Sequence, residues 1–103
     1  MSSVQRVLSG AALCVSLPDE IRIVRDELAT AGERIGRTLI KDGPVRLTLV
    51  ALKAGGRLRD HRADGPITVQ VLEGSVDFHV SGGSIPLTVG SVLFGGVFPA
   101  GIL

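Results

Sequence analysis

The 103-residue chain has no Trp, no Tyr and only three Phe. A protein that binds single-stranded nucleic acid stacks bases on aromatic rings. Phe78, Phe94 and Phe98 all stand in apolar stretches and offer no such platform. Charge of one sign is also missing: the net charge is +1, with Arg and Lys dispersed among Asp and Glu. The electrostatic footprint of a nucleic-acid binder is therefore absent, and no nucleic-acid partner is expected. One cysteine, Cys14, excludes an internal disulfide and fits a reducing, cytoplasmic compartment. Its apolar context reads as a small buried hydrophobe rather than a nucleophile. No apolar run approaches the ~18 residues of a membrane span, so no membrane partner is expected. The short run after Arg6, Val7 to Val15, lacks a small-x-small cleavage site before Pro18. It reads as an ordered arm or strand over residues 1–15, not a secretion signal. No Lys-Ser or Lys-Thr follows a glycine pair, which excludes a phosphate loop, and no Ser/His/Asp or Cys/His spacing supports covalent catalysis.

What the chain does have is glycine, fourteen residues of it, and a hydrophobic fraction of 45%. The length suits one domain with one modest core. A single helical signal opens it. Ser16 can cap, Pro18 sits early, and Asp19 and Glu20 fall in the first turn, where the helix dipole favours anions. Leu17, Ile21, Val24 and Leu28 recur at helical spacing before Gly32, which predicts a helix over 18–31.

From residue 36 the texture becomes β. Thr38 to Ile40 forms a short strand that turns at Asp42-Gly43-Pro44. Val45 to Lys53 follows, with Val45, Leu47, Leu49 and Ala51 on one face. A short strand is expected at Leu58 to His61. Ile67 to Leu72 comes next, Ile67, Val69 and Val71 on one face and Thr68 and Gln70 on the other. Val76, Phe78 and Val80 alternate with Asp77 and His79, which turns His79 away from any ligand set that contains His61. Ile85 to Val89 and Val92 to Phe94 complete the series. Short strands separated by glycine turns at intervals of about 8–12 residues indicate a β-sandwich or barrel.

The segment from Gly55 to Gly74 resembles the first motif of small cupins. That motif reads Gly, five residues, His, one residue, His, three or four residues, Glu, six residues, Gly, and Gly55, His61 and Gly74 keep its frame. Val71-Leu72-Glu73-Gly74 has the phrasing of the hairpin after the ligand strand. Leu87-Thr88-Val89-Gly90-Ser91-Val92-Leu93 resembles the start of the second motif. The resemblance spans residues 36–94 and implies an all-β, cupin-type double-stranded β-helix, or jelly-roll barrel, of seven to nine strands over 1–103.

The departures from that motif decide the functional expectation. Ala63 stands where the second His belongs and Ile67 where the Glu belongs. Pro99-Ala100-Gly101 could be the turn of the second motif, but no His follows it. His61 is then the one retained ligand position. One imidazole does not hold a divalent ion tightly, so neither a metal nor another cofactor is expected. In the family frame the Ile67 phase lines the barrel, which gives an apolar interior at His61, Ala63, Ile67 and Val69. These four are the candidate ligand-binding residues, and the ligand they suit is small and apolar. The neighbouring Arg57, Arg59, Asp60, Arg62 and Asp64 also fit His61 as a solvated residue near a turn.

The resemblance therefore implies a non-catalytic module that binds a small ligand or forms a homodimer. Two other readings stay open: a cupin enzyme of isomerase or dioxygenase type whose metal is held with a partner chain's help, and a sensor or regulatory domain. The stretch from Ser91 to Leu103 carries no charge. It must pack on its own barrel, cover a partner, or belong to a truncated or shifted reading frame, and a family domain would add a further strand or two.

Overall fold

The computed structural model describes residues 6–58, 61–63, 65–80, 82–95 and 98–102, those of 61–63 and 98–102 by backbone alone. Among them are one helix, α1 (Leu17–Ala31), and eight strands. The strands are β1 (Arg34–Asp42), β2 (Val45–Leu52), β3 (His61–Ala63), β4 (Ile67–Gln70), β5 (Ser75–Val80), β6 (Gly83–Thr88), β7 (Val92–Gly95) and β8 (Phe98–Ile102). Every strand pairing is antiparallel, and the chain is mostly β, as the glycine-punctuated sequence predicts. The chain divides into two compact units, one ending at Gly56 and the other beginning at Arg57.

The first unit is a helix on a hairpin. Ser16 caps α1 in an extended conformation and its hydroxyl accepts from the Asp19 amide. Pro18 lies in the first turn, where its missing N–H costs nothing. Leu17 is about a third exposed, while Ile21 and Leu28 are half-buried and Val24 is buried. In β1 the buried residue is Leu39. Each of these two side chains stabilises the unit by about 1.5–3 kcal/mol through removal from water. A polar tie adds to this packing: Arg37 Nε donates to Glu20 Oε1 at 2.7 Å, both side chains being under a fifth exposed.

β1 and β2 close through Gly43-Pro44, with Asp42 opposite Val45. Gly43 takes φ +55°, the left-handed geometry that two-residue hairpin loops favour. A register shift between Thr38 and Ile40 leaves Leu39 without a partner across the strands, a bulge. At the open end of the hairpin the Lys53 amide donates to the Glu33 carbonyl, and the Gly56 amide to that of Lys53. A Cβ on Gly56 would stand 2.7 Å from the Glu33 carbonyl oxygen, so no other residue fits without backbone movement. The arm before the helix runs along β1. The Lys41 amide donates to the Leu8 carbonyl at 2.8 Å, Arg6 to the Thr38 carbonyl, and the Gly10 amide to the Asp42 carboxylate.

Three expectations are corrected here. β1 begins at Arg34, earlier than residue 38, because pairing with the long β2 extends it to Leu52. The apolar row of β2 is covered only in part: Leu49 and Ala51 are half-buried, whereas Val45 and Leu47 are exposed. Leu49 pairs with Arg37, which reaches Glu20, so the end of β2 near Leu49 and Ala51 shares the helix side of the hairpin. Cys14 is exposed. Its neighbours Leu13 and Val15 are half-buried, and in this extended arm the residue between them turns outward.

The second unit pairs its six strands in nested order. β5 pairs with β6, β4 with β7, and β3 with β8, each as a two-stranded sheet. β8 also contacts β5. β3 begins at His61, and the predicted Leu58 lies before it. Its core is Val71, Phe78 and Leu87, with Ile67, Val69, Val76, Val80 and Leu93 packed against it. Phe78 is fully buried. The alternation read from sequence holds in β4 and β5: Thr68, Gln70, Asp77 and His79 are exposed, and the residues between them turn inward.

Candidate functional site

The sequence places its candidate site on β3 and β4, and the nested pairing decides what faces these strands. On β4, Ile67 lies opposite Gly95 of β7, and Val69 opposite Leu93. β-branched residues at alternate positions favour a strand half-buried on one side, as here. Both side chains pack against the Val71–Phe78–Leu87 cluster. Of the candidate residues, then, Ile67 and Val69 come together in an apolar interior occupied by side chains. On β3, the backbone register sets His61 opposite Ile102 and Ala63 opposite Phe98, with an irregularity between them. The His61 and Ala63 side chains lie outside the described residues, as do Asp60 and Asp64.

The interior at Ile67 and Val69 is hydrocarbon. Ile67 offers no donor atom and is surrounded by Val, Phe and Leu carbons. A divalent ion needs several N or O donors converging at about 2.0–2.2 Å. The residues at these positions do not fit such an ion. Among the described residues, no group of three or more His, Cys, Asp or Glu side chains comes together as a set of metal ligands.

Asp77, His79, Asp19 and Arg22 stand on exposed faces. Asp77 and His79 share the outer face of β5, with His79 opposite Ser84 and Asp77 opposite Pro86 of β6. On α1, Arg22 donates to the Asp19 carboxylate at 2.7 Å. That hydrogen bond, then the one with Ser16, then the Arg22 charge hold the Asp19 carboxyl below its ordinary value of 3.8. The pair is solvent-exposed and stabilises the first helical turn rather than any reacting group.

Sequence reasoning did not identify the outer face of the β4–β7 pair. There Phe94 lies opposite Thr68, and Val92 opposite Gln70. Phe94 is 69% exposed and Val92 62%. The signal was present in the period-2 alternation of Val92-Leu93-Phe94, where Leu93 is the inward residue, but it was hidden because all three are apolar. No helix among the described residues is long and apolar enough to cross a membrane. In comparisons with known proteins, no family model, curated protein or solved structure matches the chain.

Proposed function

We propose that the chain is a non-catalytic, cupin-like binding module with an apolar interior. The observation that carries this reading is the packing of Ile67 and Val69 onto Phe78, Val71 and Leu87. Hydrocarbon fills the place where chemistry would need converging donors. The nested order β3–β8, β4–β7, β5–β6 supports the jelly-roll part of the reading. A long antiparallel hairpin rolled on itself generates that order, and its rolling brings the outer pair beside the inner one, consistent with β8 lying against β5. The reading includes a cytoplasmic location, in which the exposed Cys14 thiol stays reduced.

Metal analysis of purified protein tests it. The reading expects far less than one equivalent of Fe, Mn, Zn or Ni, unchanged in His61→Ala. Near-stoichiometric metal that disappears in His61→Ala would overturn it.

A further inference from the structure

We infer that the outer edge of β1 is a strand-addition site for an extended peptide of another protein, and that residues 6–10 of this chain occupy it as a displaceable self-ligand. The site lies in the first unit and goes beyond the proposed function, which concerns the second.

The arm itself shows that this edge accepts an added segment. Arg6 donates to the Thr38 carbonyl at 2.6 Å, the Lys41 amide donates to the Leu8 carbonyl at 2.8 Å, and the Gly10 amide donates to the Asp42 carboxylate at 3.0 Å. Residues 6, 8 and 10 thus meet 38, 41 and 42 in rising order, so the arm runs parallel to β1. The β1–β2 ladder is interrupted between Thr38 and Ile40, within this stretch. Bulges of that kind redirect pairing at sheet edges.

Little else holds the arm down. Arg6, Val7, Ser9 and Gly10 are exposed, and Leu8 is half-buried. Segments with so few buried apolar contacts open before the rest of a fold. Residues 11–16 tether the arm to α1, which keeps it near the edge at an effective concentration on the order of millimolar. An outside peptide therefore competes with the arm, and the arm sets the threshold for its binding. Strand addition draws affinity from main-chain hydrogen bonds and specificity from alternate side chains. The matching peptide carries a basic residue for the Thr38 carbonyl and an apolar residue two places on. A free amide for the Asp42 carboxylate follows two places later, where proline is barred. A second copy of this chain fits less well, because exchanging one arm for an identical one gains no bond.

The full-length Arg6→Ala, Gly10→Pro variant tests this. It removes two of the three bonds and leaves β1 unaltered. The Gly10 φ of +149° is closed to proline. The probe is an end-blocked peptide with the sequence of residues 6–13. It should bind the variant at least about tenfold more tightly than the wild-type chain, where the tethered arm competes. The Lys41 amide should exchange hydrogen faster in the variant, and the peptide should restore its protection. Replacing the peptide's arginine with glutamate should weaken binding. Unchanged Lys41 exchange, equal binding to both proteins, no binding to the variant, or a variant that sediments as a dimer overturns the inference. A second measurement uses the unaltered chain with excess peptide bearing a nitroxide at its first residue. The Thr38 amide resonance should broaden more than that of Asp42, and the opposite order, or no broadening, overturns the parallel docking.

Discussion

Replacing Phe78 by alanine should unfold the second unit, whereas the same change at Phe94 should leave it standing. The two rings are chemically identical and differ in burial, 0% against 69% exposed. Phe78 lies within the Val71–Leu87 cluster, with Val76 and Val80 flanking it on β5. Its loss removes the transfer free energy of a full ring and leaves a void that short two-stranded sheets cannot collapse around. The expected cost is about 3–5 kcal/mol. That is comparable to the whole stability of a core this small. Phe94 is already mostly in water, and its truncation should cost under about 0.5 kcal/mol in the monomer. Urea unfolding followed by far-UV circular dichroism measures both at a protein concentration low enough to keep the chain monomeric. Equal losses in the two variants, or a Phe78→Ala loss below about 1 kcal/mol, would refute the assignment of the core.

Two further outcomes follow from the first unit. Gly56→Ala should destabilise it by about 1–3 kcal/mol in the same denaturation assay, because the added methyl meets the Glu33 and Lys53 carbonyl oxygens, which belong to backbone; an unchanged midpoint refutes that geometry. Asp19 has a folded value below 3.8, so its contribution to the first helical turn is present at neutral pH and is lost as pH falls from 3.8 through that lower value. Removing the largest cause, with Arg22→Gln, should raise the Asp19 midpoint toward 3.8 in a carboxyl NMR titration, and identical midpoints in the two proteins would show that Arg22 does not act on it.

Local pattern made much of the second unit legible. Ile67, Val69 and Val71, then Val76, Phe78 and Val80, alternate with polar residues, and the structure turns each set inward. The helix was equally readable, since Ser16, Pro18 and Gly32 mark its ends by local chemistry. What stayed hidden depends on residues far apart in sequence. How much of the Val45–Ala51 row α1 covers depends on where the helix crosses the hairpin, which strand periodicity does not encode. The partners of β3 and β4 lie far downstream, His61 opposite Ile102 and Ile67 opposite Gly95, and nothing in His61 or Ile67 announces them. At the candidate site the alternation puts Ile67 and Val69 on one face, but their packing against Phe78 and Leu87 emerges only once β5 and β6 pair.

The clasp of Arg6, Leu8 and Gly10 on β1 bears on how this polypeptide should be handled. Those few bonds spend an otherwise sticky border of the hairpin on the molecule's own leader. A version trimmed to start at the helix cap would lose that cover and present Thr38 to Asp42 to any passing strand, so solubility, more than melting temperature, is the property that such shortening would compromise.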